Sequence, residues 1–465
     1  MIASSPKTHR RRPYVEQVRA RRRPLVVRHP AQVVALGFTA AVLLGTALLS
    51  LPVARRGAGA AASVDALFTA VSALCVTGHV VVDTREHWST FGLVVILALA
   101  QVGGFGIMTS ASLLGVFASR RLGLRSRMLT ATESRGLDLG DVRSVLLGVV
   151  RVSVVVELVT AVLLTSRLLL GYDRSLPAAA WEGVFLAVSS FNNAGFALRS
   201  DSMTAFVADP WMCLPVVAAS FLGGLGFPVL LELRKQFRSP QRWSLHTRLT
   251  LVTTVPLLVV GTFFLTINEW RNPATLGALD WWARPLAGLF QASATRSSGF
   301  NSIDITQMNG GSWLVMDVLM FIGGGSASTA GGIKVTTFAL LAVAVYAEFR
   351  GEATVTLFHR RVSDRVVRQA LTVALASVGV VVVATIVLVE MTRAPLDMVV
   401  FEVVSSFATV GLSSGLLVQL PDAGQVILAL LMFLGRIGPI TLGAALALRE
   451  RTRLYDYPEG RPIIG

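Results

Sequence analysis

Apolar and polar positions along this chain come in long blocks, not in the short period of an amphipathic helix or strand. Mostly apolar runs occupy residues 31–53, 145–170, 249–267 and 370–391, and a second set occupies 91–117, 211–233, 313–345 and 425–448. A membrane-spanning helix needs ~20 such residues, so the pattern predicts eight spans. Between the two runs of each pair lies a shorter segment: LFTAVSALCVTGHVVVDT (67–84), VFLAVSSFNNAGFALRSDS (184–202), LFQASATRSSGFNSIDIT (289–306) and VFEVVSSFATVGLSSGLL (400–417). Each opens on a phenylalanine (Phe68, Phe185, Phe290, Phe401), continues through small residues and serines, and reaches a glycine (Gly78, Gly195, Gly299, Gly411). These glycines recur at intervals of roughly 110 residues, the mark of an internal repeat.

Each short segment holds only about ten apolar residues before its glycine, too few to span a bilayer but enough for a re-entrant half-helix. Irregular backbone at membrane depth survives only where it is buried or lines a watery cavity. Glycine permits backbone angles closed to other residues, which lets carbonyl oxygens turn inward and replace an ion's hydration shell. The negative end of each half-helix favours a cation nearby. The expected fold is therefore an all-α polytopic membrane protein. Four units of outer helix, pore half-helix and inner helix surround a pseudo-fourfold central pore. The candidate filter residues are Val76, Thr77 and Gly78; Asn193, Ala194 and Gly195; Ser297, Ser298 and Gly299; and Thr409, Val410 and Gly411.

Charge agrees with this layout. The 465-residue chain is 53% hydrophobic and only 15% charged, with a formal net charge of +15. Its basic residues cluster in the first thirty positions, in 119–143, 234–248 and 350–368, and near the C-terminus. Such an excess in the connections reads as the cytoplasmic side of an inner-membrane protein. Both termini are thus expected in the cytoplasm, and nucleic acid is not an expected partner. The N-terminal basic stretch is too long for the first part of a cleavable signal. The organisation expected is a basic tail (1–30), unit one (31–118), unit two (119–233), unit three (234–346), unit four (347–449) and a short C-terminal tail (450–465).

Two inner helices carry interruptions. FIGGGSASTAGGIKVTTF (321–338) concentrates glycines, each costing about 1 kcal/mol in a helix interior. It should break the helix below the filter and act as a mobile gate made of Gly323, Gly324, Gly325, Ser326, Ala327, Ser328, Thr329, Ala330, Gly331 and Gly332. Milder clusters, QVGGFG (101–106) and FLGGLGFP (221–228), are expected to serve close packing. FLGRIGP (433–439) places Arg436 inside an apolar span. An intramembrane arginine usually faces a cavity, so it is read as a gating charge beneath the filter, with an ion pair to Glu157 or Glu402 as the alternative. Cys75 and Cys213 are expected to be packing residues. An enzyme is not expected: the six histidines form no pair with an acid one helical turn away in a span, and GGIKVTT lacks the spacing of a phosphate-binding loop.

SALCVTG with VVDT, ATRSSGFNSID, GGGSASTAGGIKVTTF, SSFATVGLSSGL and FLGRIGP resemble the Trk/Ktr/HKT superfamily of potassium transporters, most of all the membrane subunit of the bacterial Ktr system. The resemblance covers about residues 30–465. It implies potassium uptake through a channel-like pore, with K⁺ at the four-glycine filter and stimulation by Na⁺. It also implies a homodimer with one pore per protomer, seated on a cytoplasmic ring of regulatory subunits that bind ATP, ADP or NAD. The family's gating loop corresponds to 323–332. A Trk-type symporter or a less selective Na⁺/K⁺ channel is the other reading. Three positions depart from the family: His79 replaces a usual aliphatic residue, Ser297-Ser298 replaces Thr-Ala, and the loop reads Ser-Ala-Ser-Thr.

Overall fold

The computed structural model describes residues 30–57, 59–121 and 142–448. The basic N-terminal tail, most of the 119–143 connection and the C-terminal tail lie outside the described residues. The described chain is helical apart from one two-stranded hairpin, Thr356–Leu357 with Arg360–Arg361.

A long helix, a short helix, a glycine loop and a second helix follow one another four times. The outer helices are Pro30–Leu49, Val142–Gly171, Leu245–Glu269 and Asp364–Thr392. They present bare apolar side chains outward, among them Leu43, Val159, Phe263 and Val383, each more than half exposed. A continuous apolar surface of this kind is compatible with lipid and not with water. Among the described residues, five helices are long and apolar enough to cross a membrane, and a bent pair makes a sixth.

The short helices are Ser63–Leu74, Leu176–Asn192, Ala283–Ser293 and Leu396–Phe407. They sit inside the ring of longer helices, where nearly every side chain in their last two turns is buried. The phenylalanine that opens each segment anchors it: Phe68, Phe185, Phe290 and Phe401 are all at most 1% exposed. Phe185 packs edge-on against Trp181, and Phe401 packs at a tilt against Trp313.

The second helices differ from unit to unit. Thr90–Arg121 runs unbroken past Gly103 and Gly104. A Cβ on Gly103 would strike the Leu74 carbonyl, and one on Gly104 the Asn192 side chain, so these glycines allow close helix contact. The cluster at 221–228, expected only to aid packing, instead breaks its helix. Pro210–Leu225 and Phe227–Gln236 meet at 101° across Gly226, whose φ of +96° is open to glycine and closed to most other residues. In unit three the helix stops at Phe321 and resumes at Val335. In unit four Asp422–Leu448 is continuous past Arg436.

Candidate functional site

The four glycine loops meet at one place. Gly78, Gly195, Gly299 and Gly411 all have positive φ, between +69° and +93°. In units one, two and four the residue two places earlier is also left-handed: Val76, Asn193 and Thr409, with φ of 51–59°. Left-handed backbone in Val76 and Thr409 costs about 1–2 kcal/mol each and persists only where the surroundings impose it. The imposing contact is the helix end. The N–H of Thr77 bonds the Ser72 carbonyl at 2.8 Å, Ala194 the Ser189 carbonyl at 2.7 Å, and Val410 the Ser405 carbonyl at 2.9 Å. Unit three departs from this pattern. There Ser297 is extended and Gly299 itself bonds back, to Ala294 at 3.4 Å.

Each glycine lies against the carbonyl that precedes the glycine of a neighbouring loop. A Cβ on Gly78 would stand 2.5 Å from the Ala194 oxygen, and one on Gly195 would stand 3.0 Å from the Ser298 oxygen. One on Gly299 would overlap the Val410 oxygen, and one on Gly411 the Thr77 oxygen. The contacts run one to two, two to three, three to four and four back to one. Four loops thus close a ring in which carbonyl oxygens and glycine backbone alternate with no side chain between them.

One side of the ring opens into a cavity of about 280 Å³ lined by the four glycines and by Asp83 and Asp304. The two acids stand five positions after Gly78 and Gly299 and cap short helical turns, Asp83 through the N–H groups of Arg85 and Glu86, Asp304 through that of Thr306. Partial burial raises the Asp83 carboxyl. Hydrogen bonds from Ser200, Glu86 and Arg85 and the Arg85 charge outweigh it and hold the group below the ordinary carboxylate value. Reading the sequence missed these acids, although their shared offset in VVDT and NSID was the available signal.

Residues 322–334 cross the opposite side. The segment is tied to broken helix two by Gly325 N–H to the Gly224 carbonyl (2.8 Å), Thr329 N–H to the Gly223 carbonyl (3.2 Å) and Phe227 N–H to the Ala327 carbonyl (3.2 Å). Asn193, two residues before Gly195, donates its side-chain N–H to Thr329 Oγ1 at 2.6 Å. A Cβ on Gly331 would stand 2.6 Å from the Ala408 carbonyl, at the end of the fourth short helix. Arg296, from the ATRSSG motif, is buried. It donates to the Thr254 and Gly323 carbonyls at 2.8 and 3.1 Å, joining outer helix three to the segment.

Arg436 is 2% exposed and donates to the Thr329 carbonyl. Neither acid proposed as its partner pairs with it. Glu157 accepts from Gln101 and Asn192. Glu402 accepts from Ser413 and Ser414. Among the described residues no acid lies within ion-pair distance of Arg436. Helix four carries Arg436 to the loop because Gly435 lets it lie directly on the Phe407 carbonyl. Cys75 and Cys213 are buried free thiols.

The model of the TrkH family, described as a cation transport protein, matches residues 15–450. The chain belongs to the TrkH family. Its members transport cations and are not enzymes. The chain is 38% identical over 440 residues to the Ktr system potassium uptake protein B of Bacillus subtilis, covering 94% of this chain and 97% of that one. It is 33% identical to the potassium/sodium uptake protein NtpJ of Enterococcus hirae, covering 94% and 97%. The crystal structure of the potassium transporter TrkH from Vibrio parahaemolyticus shares the fold, with a TM-score of 0.72 at 18% identity, covering 90% of this chain and 85% of that one. As a TrkH-family protein the chain is a multi-pass membrane protein, mostly helical.

Proposed function

We propose that this chain takes up potassium through the ring of glycine loops, as the translocating subunit of a Ktr-type system. The observation that carries the reading is the closed cycle of carbonyl-to-glycine contacts around four loops. Rings of backbone carbonyls replace the hydration shell of a monovalent cation, and here no side chain stands between the carbonyls and the glycines. In this reading Val76–Gly78, Asn193–Gly195, Ser297–Gly299 and Thr409–Gly411 select K⁺, Asp83 and Asp304 gather cations at the mouth, and residues 323–332 with Arg436 close the far side.

The system-type name of the Bacillus subtilis relative supports a separate regulatory subunit. We infer a homodimer on a nucleotide-binding cytoplasmic ring, with N- and C-termini on that side of the inner membrane and with Na⁺ stimulation. The potassium/sodium name of the Enterococcus hirae relative, together with His79 beside Gly78, favours a second reading, a less selective Na⁺/K⁺ pathway.

Gly78→Ser tests the filter reading, and the wild-type K⁺ over Na⁺ ratio in the same assay separates the two. It places a side chain against the Ala194 carbonyl on backbone at φ +89°, where strain and overlap together amount to about 2–5 kcal/mol. In cells lacking their own K⁺ uptake, the variant should lose most K⁺ over Na⁺ discrimination while still reaching the membrane. Discrimination equal to wild type would remove loop one from the filter.

A further inference from the structure

The residue after each ring glycine is buried in every unit: His79 is 1% exposed, Phe196 2%, Phe300 0% and Leu412 1%. Three are apolar and pack as wedges behind their loops. His79 is the exception, and both its ring nitrogens lack a hydrogen-bond partner. The residue after each anchoring phenylalanine is Thr69, Leu186, Gln291 and Glu402. Here the exception is Glu402, an acid side chain at 0% exposure. The two exceptions face each other, His79 Nε2 standing 4.0 Å from Glu402 Oε2.

Other groups of both residues are already committed. Glu402 Oε1 accepts from the Ser413 hydroxyl at 2.5 Å and from the Ser414 N–H and hydroxyl at 2.9 and 3.0 Å. That oxygen therefore holds the chain just beyond Gly411. The His79 carbonyl accepts from the Ser72 hydroxyl at 2.8 Å, which ties the chain just beyond Gly78 to its own short helix. Glu402 Oε2 has no partner and points across the seam between loops four and one. At that seam Gly411 lies directly on the Thr77 carbonyl. Unpaired polar atoms in a water-excluded interior cost several kcal/mol. A gap of 4.0 Å is too long for a hydrogen bond, but a small rotation of either side chain or one bridging water spans it.

We propose that His79 and Glu402 form a clasp across this seam and are specificity-positioning residues: their hydrogen bond fixes how closely the Thr77 carbonyl and Gly411 approach, and so sets discrimination between K⁺ and Na⁺. Neither touches the ion. The proposal rests on the filter reading above. It confines the effect to one of the four seams, because the other three are backed by apolar side chains at the corresponding position. Glu402 holds loop four through Oε1 and reaches loop one through Oε2, so one side chain sets the register of both.

The test is the ratio of Na⁺ to K⁺ KM in uptake assays, normalised to folded protein measured by fluorescence-detected gel filtration. His79→Leu installs the apolar residue that unit four carries at this position, and should lower discrimination about fivefold, the size of one neutral hydrogen bond. His79→Gln retains a donor and an acceptor and should stay within about twofold of wild type. Glu402→Gln keeps the oxygen that serves Ser413 and Ser414 and changes only the atom facing His79. It should lower discrimination by itself, and His79→Leu in that background should add little to that loss. Should His79→Leu fail to accumulate, His79→Asn, too short to reach Glu402, gives the same reading. A purely structural role would lower yield and maximal rate with the KM ratio unchanged, and that result, or fully additive effects, overturns the clasp. Gly411→Ser is assayed beside them. If it also leaves discrimination intact, the filter reading itself fails; if it abolishes discrimination while the His79 variants do not, only the clasp is wrong.

Discussion

Arg436→Ala is the perturbation whose outcome the geometry constrains most tightly. The guanidinium is 2% exposed, donates to the Thr329 carbonyl, and leaves Nε and Nη2 without partners. Thr329 is also the residue that Asn193 reaches from loop two, so Arg436 fastens the 322–334 segment where it meets the ring. A hydrogen bond from a charged donor contributes roughly 1.5–3 kcal/mol. Losing it should shift the balance between closed and displaced segment by about 10- to 150-fold. In the proposed pathway the charge also repels a passing cation, and its removal acts in the same direction. The maximal rate of K⁺ uptake per folded molecule should therefore rise, with apparent K⁺ affinity changing much less. Stability should fall by no more than this one hydrogen bond. No acid among the described residues pairs with Arg436, so alanine leaves no carboxylate stranded and removes two buried nitrogens that lack partners. A structural ion pair would behave in the opposite way, since breaking one costs about 3–5 kcal/mol. Thermal unfolding in detergent and uptake normalised to folded protein settle the matter together. A variant that melts several degrees lower and transports no faster would refute the reasoning.

Deleting residues 324–330 removes the part of the segment that bonds Gly224, Gly223 and Phe227. It should give high uptake that no longer responds to a regulatory subunit, and a folded deletion no faster than wild type would show that the segment is no barrier. Asp83→Asn should raise the apparent KM for K⁺ roughly two- to threefold at low ionic strength and less at high salt. Because the Asp83 carboxyl is held below its ordinary 3.8, its charge is present above that lowered value and is lost only as pH falls through it. KM in the wild type should thus stay flat from about pH 8 to pH 5 as far as this group is concerned, and a KM unchanged by Asp83→Asn would take the acid out of the entry path.

The block pattern of apolar residues by itself determined that the chain lies in a membrane and which segments are too short to cross it. Its four phenylalanine-to-glycine segments marked the places where backbone leaves the helix. These are local facts: span length, half-helix length and the need for glycine at positive φ are set by the residues themselves. The break at 322–334 was legible for the same reason, since clustered glycines cannot hold a helix. The break at Gly226 was not. QVGGFG and FLGGLGFP look alike in composition, yet Thr90–Arg121 stays one helix while the second bends by 101°. The difference lies in what each meets: the 223–226 turn receives the 322–334 segment through N–H and carbonyl groups that only a broken helix exposes. Partner choice was equally hidden. Glu157 and Glu402 were plausible mates for Arg436 by charge. Residues far apart in sequence decided otherwise, Gln101 and Asn192 satisfying Glu157 and the Ser413–Ser414 turn satisfying Glu402. A buried charge takes whichever donors or acceptors the packed neighbours bring within about 3 Å, and those neighbours are set by how four units close on one another, which no single segment of the chain encodes.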